Sequence, residues 1–194
     1  MSALKLIVGL GNPGDQYTRT RHNAGVWLVE SLARYYGVSL TPQSKFSGLT
    51  ARIQRDGLDC LLLIPTTFMN RSGTAVQAVA HFYQIAPQDI LVAHDELDLP
   101  TGIVKFKQGG GHGGHNGLRD IVAHIGADFA RCRIGIDHPG NKEDVVNYVL
   151  HTPSQADKKA IDDVIEQTLQ YAPELLSLQL PKLMNACNRK AKGE

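Results

Sequence analysis

Apolar and polar positions change period several times along the chain. Residues 4–10 read as a buried strand, and beyond the turn at 11–14 the residues Val26, Val29, Leu32, Ala33 and Tyr36 share one helical face. Residues 49–55 and 58–64 flank Asp56-Gly57, a two-residue turn that closes hairpins with positive φ at its centre, so they are expected to pair antiparallel. Ser72 is placed to cap a helix burying Val76, Val79, Ala80 and Tyr83, and residues 90–93 follow as another buried strand. Residues 103–107 and 129–136 add two strands, separated by a glycine-rich loop and a short helix with Leu118, Ile121, Val122 and Ile125 inward. Ser154 with Asp157 resembles a capping box before a helix whose face is Ile161, Val164, Ile165 and Leu169, and a last helix is expected after Pro181. Alternating strands and helices with one hairpin predict an α/β fold. We expect a single domain over residues 1–194, with a mixed, mostly parallel β-sheet covered by helices on both faces.

Composition supports one domain with a sizeable core: the chain has 194 residues, 42% of them hydrophobic and 20% charged. The longest strongly apolar run, residues 60–64, is far short of the roughly 20 residues that cross a bilayer. The first residues show no small-residue cleavage pattern, so a cytoplasmic protein without membrane association is expected. Cys60, Cys132 and Cys187 are odd in number and lack a C-x-x-C spacing, which argues against a disulfide framework and a cysteine-based zinc site.

A formal net charge of +1 conceals a segmental pattern, because residues 1–55 carry seven basic and two acidic groups whereas 56–100 carry one and six. A globally basic RNA binder is excluded. A local positive patch suited to one end of a polyanion is not. Lys105 and Lys107 lie two apart on an expected strand, as do Arg131 and Arg133, so each pair projects to one face. Each pair can clamp an anion or form a solvated charged face. The three positive charges in residues 188–192 read as a solvated tail.

Gly9-Leu10-Gly11-Asn12-Pro13-Gly14 has the spacing of a dinucleotide cradle, but Pro13-Gly14-Asp15 is turn chemistry where that motif needs an immediate helix. A structural turn is the better reading, with Asn12 left as a polar group at a strand mouth. His22, in Thr20-Arg21-His22-Asn23, stands just ahead of a helix, and the strand ending His94-Asp95-Glu96 brings carboxylates to the edge where open sheets build their sites. An Asp95 partner would orient His22 and let its neutral ring accept a proton near pH 7. No G-x-S-x-G is present, so water is the simplest client of such a base, with Asn12, Asn70 and Asn116 to hold the substrate and its developing oxyanion. The loop at 108–117 holds six glycines with His112, His115 and Asn116. It reads as mobile backbone that approaches a ligand, or, with His94 or Asp95, as half a metal site.

Taken together, Leu6-Ile-Val-Gly-Leu-Gly-Asn-Pro-Gly14, Thr20-Arg-His-Asn-Ala-Gly25, Pro65-Thr-Thr-Phe-Met-Asn70, His94-Asp-Glu-Leu-Asp98 and Gly109-Gly-Gly-His-Gly-Gly-His-Asn-Gly117 resemble the bacterial-type peptidyl-tRNA hydrolase family over nearly the whole chain. The resemblance implies a monomeric α/β enzyme that cleaves the ester between a peptide and the terminal ribose of tRNA, recycling tRNA from abandoned translation, with no metal or organic cofactor. It implies His22 as catalytic base, Asp95 as its support, and Asn12 as the residue tied to preference for blocked over free aminoacyl groups. Tyr17, Phe68, Asn70 and Asn116 match positions contacting the peptidyl or 3′-terminal portion, and Lys105, Lys107 and Arg133 match a cluster associated with the tRNA 5′ phosphate. Two departures are a short segment between Gly126 and Phe129 and Asp137, where glycine is common. A carboxylate there is expected to weaken phosphate affinity. The rival expectations are a non-catalytic RNA-binding module of the same fold and a metal-dependent hydrolase using His112 and His115.

Overall fold

A seven-stranded sheet in the order β2-β3-β4-β1-β5-β7-β6 organises the computed structural model, which describes residues 3–187. The strands are β1 (Leu6–Gly9), β2 (Thr41–Gln43), β3 (Gly48–Arg55), β4 (Leu58–Pro65), β5 (Ile90–Glu96), β6 (Val104–Gln108) and β7 (Ala130–Gly135). The central β4, β1, β5 and β7 run parallel, and β3 and β6 flank them antiparallel. The helices are α1 (Ala24–Tyr36), α2 (Ser72–Phe82), α3 (Asn116–Ile125), α4 (Val145–Val149), α5 (Gln155–Leu169), α6 (Ala172–Leu176) and α7 (Leu180–Cys187). This is the mixed, helix-covered α/β sheet that the sequence predicts.

Strand alternation sorts the core into two layers. Ile7, Leu62, Leu91 and Ala93 face α1 and α5, whereas Leu6, Val8, Leu63, Ile90 and Val92 face α2 and α3. The expected helical face of α1 is fully inward, each large residue contributing roughly 1.5–3 kcal/mol of transfer free energy. The hairpin closes as expected, with Asp56 at φ 54° and Gly57 at φ 78°.

Gly9 and Gly25 set the approach of α1 to the sheet. A Cβ on Gly9 would lie 2.5 Å from the Gly25 carbonyl oxygen, and one on Gly25 would strike the Ala93 carbonyl oxygen. The first glycine of the nucleotide-like motif therefore serves helix packing, and no helix opens until the 3-10 turn Arg21–Asn23. That packing presses the residues just before α1 against the end of β5.

Several expectations are corrected. Ser72 does not cap α2; it is the first helical residue, and its hydroxyl donates back to the Met69 carbonyl at 2.7 Å. Tyr83 lies past the end of α2 and is 40% exposed, its ring against Phe46 and Phe82 at the surface. Strand β2 and helices α4 and α6 were not expected: three residues around Pro42, or five residues of helix, are too short to register a period. Ser154 does cap α5, its hydroxyl accepting from the Asp157 N–H at 3.1 Å. The basic tail at 188–192 lies outside the described residues. Cys60 and Cys132 are buried free thiols and Cys187 is a half-buried one. No helix among the described residues is long and apolar enough to cross a membrane.

Candidate active site

The parallel strands deliver their following residues to one edge, where a cleft of about 550 Å³ opens. Asn12 comes from the end of β1, Phe68, Met69 and Asn70 from the end of β4, and Asp95 and Glu96 from β5 itself. His22 enters from the turn before α1, and His115 and Asn116 from the start of α3. The far wall is Lys142, Val145, Val146, Val149 and Leu150.

At the floor, Asp95 is 3% exposed and His22 9%. His22 Nδ1 lies 3.0 and 2.9 Å from the two Asp95 carboxylate oxygens. With Nδ1–H donating, the ring's remaining nitrogen, Nε2, is left for the cleft. Burial by itself would lower the His22 pKa, but the charge and hydrogen bond of Asp95 outweigh it, and the net shift is upward from 6.5. Burial would likewise raise the Asp95 pKa, yet the adjoining His22 and His115 hold it well below the usual carboxylate range.

His115 is a partner of Asp95 that the sequence did not single out in this role. Its Nε2 lies 2.8 Å from Asp95 Oδ1, and its Nδ1 accepts from the Gly117 and Leu118 N–H groups as the N-cap of α3. Because Nδ1 accepts, the proton of the neutral ring resides on Nε2 and points at the carboxylate. Asn116 is the first residue of α3 rather than its cap, with its Oδ1 accepting from Arg119 at 3.0 Å. His94 is buried behind this group, donating from Nδ1 to the Asp95 carbonyl at 2.8 Å, with burial and His115 lowering its pKa to about 3.

The other amides are held differently. Asn12 and the buried Asn23 bond reciprocally: the Asn12 N–H donates to Asn23 Oδ1 at 2.9 Å, and Asn23 Nδ2 donates to the Asn12 carbonyl at 3.0 Å. Asn12 Oδ1 accepts from the Met69 N–H at 2.8 Å, so its amide orientation is fixed and Nδ2 is the group left for a ligand. Asn70 and Phe68 are exposed on the cleft rim, and Tyr17 meets Phe68 edge-on at 6.4 Å. Asn23, Met69 and the apolar residues of α4 were missed by sequence reasoning; the short apolar cluster at 145–150, interrupted by Asn147, was the one signal available for the last.

His22, Asp95 and His115 bring possible metal-ligand atoms within 4.8 Å of one another. Each nitrogen nevertheless sits at hydrogen-bonding distance from the carboxylate, and N–H···O bonds account for these contacts. His112, the other half of the expected metal pair, is outside the cluster and accepts from the Gly114 N–H within its own loop.

Lys105, Lys107, Arg131 and Arg133 are outside the cleft lining, on the last two strands. Lys105 pairs with Arg133 and Lys107 with Arg131, so all four start on one face. Arg131 is not available to an anion: it is 2% exposed, stacks on Phe129 at 4.2 Å and donates to the Gly110 carbonyl at 2.6 Å. Arg133 is half-buried and 3.8 Å from Glu96, Lys105 is likewise half-buried, and Lys107 is exposed on the edge strand. Asp137 follows β7 at φ 68°, a conformation that favours glycine, and stands beyond the strand end opposite the one nearest Lys107.

Residues 6–194 match the family model described as peptidyl-tRNA hydrolase. A curated peptidyl-tRNA hydrolase of Haemophilus influenzae is 57% identical over 190 residues, covering 97% of this chain and 98% of that protein. Another from Aeromonas hydrophila is 57% identical over 186 residues, covering 95% and 94%. The crystal structure of peptidyl-tRNA hydrolase from Acinetobacter baumannii superposes with a TM-score of 0.95 at 51% identity, covering 100% of this chain and 98% of that one.

Proposed function

The chain belongs to the peptidyl-tRNA hydrolase family, ester hydrolases acting on peptidyl-tRNA, and on that premise we propose that neutral His22, oriented by Asp95, is the general base that activates water. The observation that carries this is the His22 Nδ1 contact with both Asp95 oxygens, at 3.0 and 2.9 Å, on the floor of a cleft that Asn12, Asn70 and Asn116 also line.

Water attacks the ester carbonyl as His22 Nε2 takes its proton, giving a tetrahedral oxyanion and an imidazolium paired with Asp95. The oxyanion collapses by breaking the bond to the ribose oxygen, which takes the proton from Nε2–H, so that a free peptide acid and tRNA are released and the base is restored. The Asn12 Nδ2, held in place through Oδ1, and the amides of Asn70 and Asn116 supply neutral donors to the substrate and the developing oxyanion. Neutral donors suit a blocked acyl group, which has no ammonium to satisfy. Tyr17 and Phe68 offer an aromatic rim to the 3′-terminal portion of the tRNA. Lys105, Lys107 and Arg133 take the 5′ phosphate, with Arg131 serving structure instead. The enzyme acts as a monomer, in the cytoplasm, without metal or organic cofactor.

The test is release of N-acetylated amino acid from N-acetyl-aminoacyl-tRNA, compared with the unblocked substrate, in the presence of a chelator. Hydrolysis of the blocked substrate that His22→Ala abolishes is expected. Binding of tRNA without turnover would favour a binding module, and activity lost to chelator and restored by added metal would favour a metallohydrolase.

A further inference from the structure

Arg21 shares a 3-10 turn with His22, yet its contacts run to the opposite wall of the cleft. Its backbone N–H donates to the His151 carbonyl at 3.1 Å, and its Nη1 donates to the carbonyls of Tyr148 at 3.0 Å and His151 at 3.4 Å. The guanidinium carbon lies 3.9 Å from the centroid of the Tyr148 ring, and the Tyr148 hydroxyl donates to the Ile136 carbonyl. These carbonyls belong to the last turn of α4 and the residues after it, where a helix leaves acceptors unsatisfied and carries the negative end of its dipole. A planar guanidinium can cap such carbonyls and stack on a ring at once, which an ammonium cannot.

Apolar packing holds α4 on one side only, where Val145 and Tyr148 lie partly buried against the core beside Val149. The helix has five residues, and Val149 is the one among them that is buried. Val146 is 66% exposed and Leu150 36%, and both line the cleft. The cleft's apolar wall is therefore a short element to whose C-terminal end the Arg21 side chain is tied by two carbonyl contacts and a ring, and Arg21 is adjacent in sequence to the general base His22.

Building on the hydrolase reading, we infer that Arg21 is a positioning residue that fixes the Val145–Val146–Val149–Leu150 wall relative to His22 and so governs the hold on the peptidyl part of the substrate. A small acyl group places its carbonyl at His22 without reaching this wall. A longer apolar peptide must lie along it, so the effect of Arg21 grows with the length of the acyl group.

The experiment compares N-acetyl-alanyl-tRNA with a peptidyl-tRNA carrying an N-acetylated apolar pentapeptide, on wild-type protein, Arg21→Met, Arg21→Lys and Tyr148→Leu. Arg21→Met is expected to raise KM for the pentapeptidyl substrate about tenfold, equivalent to about 1.4 kcal/mol. KM and kcat for the small substrate, and the pH midpoint of its turnover, should stay within twofold and a few tenths of a unit. Arg21→Lys should recover part of the loss. Tyr148→Leu, which keeps Arg21 but removes the ring beneath it, should raise the same KM to a smaller extent. Equal losses on both substrates, a displaced pH midpoint, or no KM change in either the Met or the Leu variant would overturn the assignment. Wild-type protein that cleaves neither substrate would instead defeat the hydrolase reading, so the two failures are distinguishable.

Discussion

His115 reaches Asp95 Oδ1 at 2.8 Å with one ring nitrogen while the other caps α3, so the first turn of a helix and the buried Asp95 carboxylate share a single side chain. Asp95 thus accepts from an imidazole on each side, and a buried carboxylate with paired, hydrogen-bonded neighbours keeps its charge. His22 gains from this arrangement, because a carboxylate that stays ionised keeps the tautomer with Nε2 free.

The pH dependence of turnover follows from the upward shift of His22. A base with a raised pKa is idle while protonated, so kcat/KM should climb with pH to a midpoint above 6.5. In Asp95→Asn the opposing effect of burial is no longer outweighed, and the midpoint should fall below 6.5 with kcat about 10² to 10⁴-fold lower. A pH-rate profile of both proteins decides it; an unmoved midpoint would remove Asp95 from the role. The same shift has the reverse sign for stability, since the His22–Asp95 pair is worth most below pH 6.5 and fades as pH rises through the folded-state pKa.

Asn12→Asp isolates the cleft-facing half of the Asn12 amide. The aspartate retains an acceptor for the Met69 N–H but replaces the Nδ2 donor with a second, negatively charged oxygen. Turnover of N-acetyl-aminoacyl-tRNA should drop about 10²-fold, the scale of a lost oxyanion donor, while discrimination against the unblocked, ammonium-bearing substrate narrows. Parallel kcat/KM measurements on the two substrates check this, and undiminished discrimination would contradict it.

Lys105→Gln and Arg133→Gln are expected to raise KM for tRNA carrying its 5′ phosphate, leave kcat little changed, and reduce the slope of log KM against log salt by about one unit each. Substrate stripped of the 5′ phosphate should show neither effect. Arg131→Gln should differ in kind: its guanidinium is buried against Phe129 and Gly110, so loss of thermal stability is the expected outcome.

His94 makes an acid-sensitive point in the core. Its folded pKa, about 3, lies below the unfolded 6.5, so its contribution is complete above pH 6.5 and is lost as pH falls toward 3. The cost approaches about 1.4 kcal/mol per pH unit for one proton. Urea midpoints at pH 7 and pH 4 should therefore converge in His94→Asn, whose amide nitrogen can still donate to the Asp95 carbonyl. An unchanged gap between the two midpoints would locate the acid sensitivity elsewhere.

Local pattern was enough for much of this molecule. The strand and helix periods of residues 4–10, 26–36 and 58–64, and the Asp56-Gly57 turn, depend on residues close in sequence, and each formed where it was expected. Chemical type and strand position also carried His22, Asp95 and Asn12 to one candidate edge. What local pattern could not supply was the partner of each group across the fold. His115 meets Asp95 from 20 residues away and Arg21 meets Tyr148 from 127 away. Likewise Arg131, alternating with Arg133 on one strand face, is buried because Phe129 and the Gly110 backbone close around it. Periodicity tells which way a side chain leaves the backbone; whether it then meets solvent, a carboxylate or a ring is decided by segments that only folding brings together.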